Sequence, residues 1–162
     1  MTPADQQIAF IGAGNVATHM AKALRNAGMK IKAVYSHTLV SAQTLAAEVE
    51  ADAINDIAEL PEANIFVYCV KDDVLPEIAA INSLRFPNAL HIHTSGSTPA
   101  NVFLNQWHGV IYPMQTFSKN AALNFSEVHC YIEGSNRQSL KMIDNLARSL
   151  TSHVSELNTE AR

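Results

Sequence analysis

Short apolar runs alternate with helical patterns along almost the whole length of this chain of 162 residues. The first run, 8–11, is followed over 16–27 by apolar residues at helical spacing, and a second strand and helix are expected over 31–35 and 39–49. Short connections between parallel strands and helices require right-handed crossovers. The alternation therefore predicts an α/β fold, a doubly wound and mostly parallel sheet of about eight strands with helices on both faces.

The clearest strand lies at 65–70, where six apolar residues are typical of a strand buried on both faces. Asp73 is expected to cap the following helix, because Pro76 in its first turn removes no hydrogen bond that the helix needs. Gly28 is expected to end the first helix as its C′ residue. A polar loop is expected over 116–126. Further strands are expected at 53–54, 89–94, 110–112, 129–132 and around Val154, and a helix over 140–150.

The chain carries a formal net charge of −4 with 11 Lys and Arg residues, which disfavours nucleic acid and anionic membranes as partners. Its apolar runs are shorter than the ~20 residues of a membrane helix. The N-terminus lacks the pattern of a signal peptide. Cys69 and Cys130 are expected to be reduced core thiols of a cytoplasmic protein, and no C-x-x-C motif or cluster of His and Cys suggests zinc. His91 and His93 share a face of a strand and could ligate a metal, but no third ligand is in sight.

Residues 12–17 match the pattern G-x-G-x-x-A directly after a predicted strand and at the start of a predicted amphipathic helix. In this context the pattern predicts a dinucleotide-binding turn. Gly12 allows a tight turn, Gly14 lets the backbone approach a pyrophosphate, and Ala17 lets the helix pack close to the strands. The cofactor contacts expected from this turn are Gly12, Ala13, Gly14, Asn15 and Val16, the last two through amides at the positive end of the helix dipole.

Two other interpretations of this turn stay open. A connection between a strand and a helix can need glycine for its backbone geometry alone. Enzymes that use S-adenosylmethionine also place a glycine-rich turn after their first strand. They usually carry an acidic residue at the end of the second strand, which this chain lacks.

The second predicted strand ends in Ser36, His37 and Thr38, without the carboxylate that holds the ribose 2′-hydroxyl in NAD-binding domains. A carboxylate would repel a 2′-phosphate, whereas two hydroxyl donors and an imidazole can bind one. These residues therefore predict a preference for NADP, with NAD as the alternative. The same segment can also start the next helix, with Ser36 or Thr38 as its N-cap.

Several segments together resemble a known family, and they occur at 11–17, 35–36, 70–73, 93–97 and 112–117. The set resembles a Rossmann-like NADP oxidoreductase family related to pyrroline-5-carboxylate reductase, the deazaflavin-dependent NADP reductases and the 6-phosphogluconate dehydrogenase group. The resemblance implies hydride transfer to or from a small carbonyl or imine substrate. Members usually have an arginine where this chain has His37. They also usually continue into a helical C-terminal domain that supplies dimer contacts and part of the substrate site.

The carboxyl ends of the fourth and fifth predicted strands are expected to flank the nicotinamide, since such sheets bind ligands outside the carboxyl ends of their strands. After the fourth strand, Val70 and Lys71 are expected to line the cofactor. A lone lysine is more often a solvated surface residue, and this alternative stays open for Lys71.

After the fifth predicted strand, His93 is better placed for acid/base chemistry than His91, because it lies nearer the carboxyl edge. Both histidines can instead be packed in the interior, and the serines beyond them can be turn residues. No catalytic residue is identified. The candidates on the substrate side are His93, Thr94, Ser95 and Gly96, and Tyr112, Gln115 and Thr116 are further residues that can face the cleft.

These observations predict one dinucleotide-binding domain over 1–157, with 158–162 as the start of a missing helical C-terminal domain or as a tail. The leading hypothesis is the NADP(H)-binding domain of an oxidoreductase with a small-molecule substrate, which alone binds cofactor but turns over poorly. A homodimer formed mainly through the C-terminal domain is expected. The alternatives are a non-catalytic NADP(H)-sensing module and, less favoured, an S-adenosylmethionine-binding enzyme.

Overall fold

The computed structural model describes residues 5–115, 117 and 123–157, in which eight strands and four helices occur. The strands are β1 (Gln7–Ile11), β2 (Lys30–Tyr35), β3 (Asp52–Ile54), β4 (Ile65–Tyr68), β5 (Leu90–His93), β6 (His108–Pro113), β7 (Cys130–Gly134) and β8 (Val154–Glu156). The helices are α1 (Asn15–Asn26), α2 (Leu39–Val49), α3 (Leu75–Arg85) and α4 (Arg137–Leu150).

The strands form one sheet in the order β3-β2-β1-β4-β5-β6-β7-β8. Neighbouring strands are parallel, except that β6 and β7 run antiparallel and place Tyr112 opposite Tyr131. The strand order reverses between β1 and β4, and such a switch point is where sheets of this kind bind ligands. The predicted α/β fold with a mostly parallel sheet is confirmed.

Alternate residues of β1 enter two different cores. Ile8 and Phe10 belong to a cluster built with α1, α2 and α4, whereas Ala9 and Ile11 belong to a second cluster built with α3. None of these four side chains has any exposed surface. Because side chains alternate across a strand, helices cover both faces of the sheet, and this explains the uninterrupted apolar run at 8–11.

The end of α1 agrees with the prediction for Gly28. The residue has a φ of +95°, which favours glycine, and its amide donates to the carbonyl of Arg25 at 3.0 Å. The amide of Met29 donates to the carbonyl of Leu24 at 3.1 Å. This pair of bonds satisfies the last carbonyls of the helix and turns the chain back toward β2.

β4 is two residues shorter than predicted, because the chain leaves the strand after Tyr68. The amide of Cys69 still donates to the carbonyl of Ile11 at 2.7 Å, which holds the chain beside the end of β1. The residues that follow therefore belong to the loop at the carboxyl edge of the sheet.

The start of α3 differs from the prediction. Asp73 does not cap the helix, and that prediction is wrong: the N-cap is Val74, which makes no side-chain capping bond. The amides of Val74 and Leu75 both donate to the carbonyl of Lys71 at 3.0 Å. A main-chain turn therefore leads into the helix, with Pro76 in the first turn as predicted.

Part of the chain lies outside the described residues. The predicted loop over 116–126 falls partly there, as does Thr116, and 158–162 fall there entirely. The described end of that loop contains a short 3-10 turn, Phe125–Glu127, whose N-cap Asn124 accepts from the amide of Ser126. None of the described helices is long and apolar enough to cross a membrane, and the same residues contain no group of three metal-ligating side chains.

Candidate functional site

Gly12 is the residue at which the chain leaves β1 and turns toward α1. Its φ of +112° lies in the region that favours glycine, and a Cβ there would overlap the carbonyl oxygen of Cys69. Its amide donates to the carbonyl of Tyr35 at 2.8 Å. Gly12 is thus fixed between the ends of β2 and β4, and the packing of the chain itself explains why no side chain is present.

Gly14 is a glycine for a different reason. It is the N-cap of α1, it is exposed, and a Cβ there would meet no atom within 4 Å. Its φ of −81° is open to any residue. Nothing within the described chain requires glycine at this position. The absence of a side chain leaves room for a bound ligand.

The first turn of α1 carries amides without helical partners. The first bond of the helix runs from the amide of Thr18 to the carbonyl of Gly14 at 3.0 Å, so the amides of Asn15, Val16 and Ala17 precede it. No acidic residue occupies this turn and Gly14 provides no capping side chain. The turn therefore presents donors that have no partner among the described residues, together with the positive end of the helix dipole, to the space above Gly14.

The neighbours of these amides are packed into the fold. Ala17 has no exposed surface and Ala13 is 6% exposed, which agrees with close packing of α1 on the sheet. The side chain of Asn15 is directed elsewhere, since its Nδ2 donates to the carbonyl of Phe117 at 3.0 Å. Asn15 therefore connects the turn to the segment that follows β6, which its position in the glycine motif does not predict.

The loop after β2 brings the predicted NADP-selecting residues to the same edge of the sheet. His37 and Thr38 are exposed and Ser36 is half-buried. Thr38 is the N-cap of α2 but makes no side-chain capping bond, whereas the Ser36 hydroxyl accepts from the amide of Thr38 at 3.2 Å. The imidazole of His37 and the hydroxyl of Thr38 therefore face solvent beside the glycine turn.

The loop after β4 lies directly against the glycine turn. A Cβ at Gly12 would be 3.4 Å from a methyl group of Val70, which is half-buried, and Lys71 is exposed. Burial raises the pKa of the Cys69 thiol to about 12, so this thiol stays protonated near neutral pH. Val70 therefore packs against the glycine turn, and Lys71 is exposed next to it.

His93 faces the interior and holds the loop that follows β5. Its ring has no exposed surface. Nδ1 accepts from the amide of Ser95 at 3.1 Å, and Nε2 lies 3.1 Å from the carbonyl oxygen of Pro99, to which it donates. These contacts select the neutral tautomer protonated on Nε2. The structure thus places this substrate-side candidate under the loop rather than in the cleft.

The hydroxyl groups predicted to meet a substrate are used inside the same loop. Ser95 Oγ accepts from the amides of Ser97 and Thr98 at 3.1 and 3.0 Å. The Ser97 hydroxyl donates to Asp72 Oδ2 at 2.9 Å and so joins this loop to the loop after β4. The amide of Thr94 donates to the carbonyl of Tyr68 at 3.3 Å. The interpretation of these serines as turn residues therefore agrees with their contacts.

His91 lies deeper in the same face of the sheet. Its Nδ1 is 2.7 Å from the Tyr68 hydroxyl, its Nε2 is 2.8 Å from the Phe86 carbonyl oxygen, and its ring stacks on Phe66 at 5.1 Å. Burial lowers the pKa of His91 to about 4, so the ring is neutral near neutral pH. These contacts agree with the interpretation of His91 as a packed histidine.

One contact at this edge was not predicted from the sequence. A Cβ at Gly96 would lie 2.7 Å from Cζ of Tyr112, so the hydroxyl end of the Tyr112 ring rests against the loop after β5. The two residues are far apart in the chain but meet because β5 and β6 are neighbours. Only the glycine between two serines offered a signal for this contact.

Known proteins resemble this chain both in sequence and in fold. The model of the family described as NADP oxidoreductase, coenzyme F420-dependent, matches residues 7–90. A provisionally assigned NADP oxidoreductase from Bacteroides fragilis superposes with a TM-score of 0.93 at 37% sequence identity. That similarity covers 99% of this chain and 63% of that protein. No curated protein sequence matches the chain.

More distant structures share the fold alone. Prephenate dehydrogenase from A. aeolicus, solved with hydroxyphenyl propionate and NAD+, superposes with a TM-score of 0.83 at 15% sequence identity. The similarity covers 96% of this chain and 61% of that protein. Arogenate dehydrogenase from Synechocystis has a TM-score of 0.80 at 13% identity, over 96% of this chain and 60% of its own. The chain therefore spans about three fifths of the length of these proteins.

Proposed function

Because this chain belongs to the family described as NADP oxidoreductase, coenzyme F420-dependent, we propose that it binds NADP(H) at the carboxyl edge of its sheet for hydride exchange with a small carbonyl or imine compound. Its fold is that of a pyridine-nucleotide-binding oxidoreductase domain. The choice of NADP, the substrate class and the direction of transfer are the parts that we propose.

The contrast between Gly12 and Gly14 carries the proposal. Gly12 is required by the chain, whereas Gly14 leaves open space in front of unpaired helix amides. A diphosphate is the group that such amides and a helix dipole bind best. The residues therefore fit a dinucleotide, with its diphosphate on the amides of Asn15 and Val16.

The diphosphate, the 2′-phosphate and the nicotinamide end of the cofactor then each have residues to hold them. Ser36, His37 and Thr38 would bind the ribose 2′-phosphate, and Val70 and Lys71 would line the nicotinamide end. The bound cofactor supplies or accepts the hydride, and the protein orients it and shapes the acceptor pocket. The loop 94–97 would form the neighbouring wall on the substrate side.

We expect the chain to bind NADPH at one saturable site, with roughly tenfold or greater preference over NADH, or about 1.4 kcal/mol. The reason is that no carboxylate occurs between Ser36 and Ala47 to repel a 2′-phosphate or to hold a 2′-hydroxyl. Isothermal titration with both nucleotides measures the preference. If neither NADPH nor NADH binds, the proposed function is wrong.

The substitution His37→Asp is expected to weaken NADPH binding at least tenfold and to change NADH binding much less. The added carboxylate repels the 2′-phosphate, which NADH lacks. Gln43→Asp is the matched control, because it adds the same charge at an exposed position of α2. An equal loss for both nucleotides in the His37 variant would show that this segment does not contact the 2′-phosphate.

A cytoplasmic location, and a homodimer formed mainly through a further helical domain, stay predictions. Slow turnover by this chain on its own also stays a prediction. The physical reason for slow turnover is that hydride transfer needs the reacting atoms about 3–3.5 Å apart, and a pocket closed by only one domain holds its substrate loosely. Comparing NADPH oxidation with nucleotide affinity separates poor turnover from poor binding.

A further inference from the structure

Gly96 keeps an unpaired amide in a loop where the neighbouring amides are paired. Its N–H makes no hydrogen bond with a described residue, although Gly96 is half-buried. Partly buried donors in folded proteins usually have a partner. The paired donors around it are the amides of Thr94, Ser95, Ser97 and Thr98, and Pro99 has no amide hydrogen.

The hydroxyl of Tyr112 is a second unpaired donor at the same place. The end of its ring that carries the hydroxyl rests against Gly96, and the side chain is half-buried. Within the part of the chain that the structure describes, the hydroxyl makes no hydrogen bond. Two donors without a partner among the described residues therefore belong to residues that touch each other at the carboxyl ends of β5 and β6.

The charges around this pair favour a neutral ligand. Asp72 accepts from the Ser97 hydroxyl of this loop, and it forms no ion pair with a described lysine or arginine. Asp72 and Asp73 outnumber Lys71 in the loop after β4, and this negative balance disfavours a carboxylate on the ligand. A neutral carbonyl oxygen has two lone pairs for two donors and carries no such penalty.

We propose that Gly96 N–H and Tyr112 O–H together bind the carbonyl oxygen of the small neutral molecule that exchanges hydride with the cofactor. This inference rests on the proposed function, because it places the substrate beside the nicotinamide end of the site. Hydride from bound NADPH, which would be oxidised to NADP+, would add to the carbonyl carbon and reduce it. The π electrons would move onto the oxygen, which then takes a proton from water. Two donors bonded to that oxygen would stabilise the charge as it develops.

The test follows the Gly96 amide signal of ¹⁵N-labelled protein by NMR during titration with cyclopentanone or with acetate. We expect cyclopentanone to shift this signal saturably and acetate to bind more weakly. Tyr112→Phe keeps the ring against Gly96 but removes the hydroxyl, and it should reduce the affinity for cyclopentanone at least tenfold. Tyr131→Phe is the control, since Tyr131 lies opposite Tyr112 and stacks on His129 at 4.6 Å.

The outcomes separate this proposal from the proposed function. A Gly96 signal that neither probe moves, or one that moves equally in the Tyr112 variant, overturns the donor pair. Tighter binding of acetate than of cyclopentanone overturns the assignment to a neutral carbonyl. NADPH is titrated into the same samples, and failure of that binding alone counts against the proposed function, while unchanged NADPH affinity in Tyr112→Phe supports a role on the substrate side.

Discussion

The substitution Gly14→Val is expected to raise the Kd for NADPH roughly 100-fold or more, a loss of about 2.7 kcal/mol, while the protein stays folded. A side chain at this position meets no atom of the described chain, so it occupies only the space in front of the helix amides. Loss of a favourable N-cap residue costs about 1 kcal/mol, and the melting temperature should fall by only ~2–4 °C. Titration and thermal unfolding of the same sample measure both effects.

The matched variant is Gly12→Ala, for which the opposite result is expected. Its φ of +112° and its overlap with the Cys69 carbonyl make a side chain costly, by about 3 kcal/mol or more. The melting temperature should then fall by roughly 10 °C. If Gly14→Val bound NADPH as tightly as the wild type, the diphosphate would not lie on this turn. If both variants were equally unstable, the contrast between the two glycines would be wrong.

The parts of the fold that the sequence predicted correctly depend on local patterns. α2 begins and ends where its apolar spacing indicates, and Gly28 ends α1 because its positive φ is a property of one residue. The wrong and shortened elements depend on contacts between distant residues. Asp73 is not a cap because the carbonyl of Lys71 already accepts from the first amides near α3, and β4 ends early because Cys69 turns beside Ile11.

In the candidate site, too, the features set by local sequence could be predicted and those set by contacts between distant residues could not. The glycine turn could be predicted, since the motif follows a strand and opens a helix within six residues. For His93 and Ser95 the sequence offered a packed histidine and a turn serine only beside a role on the substrate side, because their partners are the amides and carbonyls of a loop whose shape is set by neighbouring strands. The contact between Gly96 and Tyr112 also depends on the pairing of β5 with β6. The residue types in the loop after β5 suggested hydrogen bonds to a substrate, but only the fold shows which of these groups already bond within the chain.

Acid is expected to destabilise the fold through His91, by about 3 kcal/mol between pH 6.5 and pH 4. Burial lowers the pKa of His91 from 6.5 to about 4, so the unfolded chain binds a proton in this range that the folded chain does not. The free energy of unfolding therefore falls as the pH drops from 6.5 and levels off below 4. Burial lowers the pKa of His108, which is near His91, and adds to the loss in the same direction.

The measurement compares urea unfolding of the wild type and of His91→Phe across this range. The variant leaves the Tyr68 hydroxyl without its imidazole partner and is expected to be less stable at pH 7, by about 1–3 kcal/mol. The gap between the two proteins should shrink toward pH 4, because only the wild type loses stability through this ring. His153→Gln, at an exposed histidine, should keep the acid dependence of the wild type. A gap that stays constant with pH would show that His91 accepts a proton in the folded state as readily as in the unfolded chain, and that its burial between Tyr68 and Phe86 does not exclude charge.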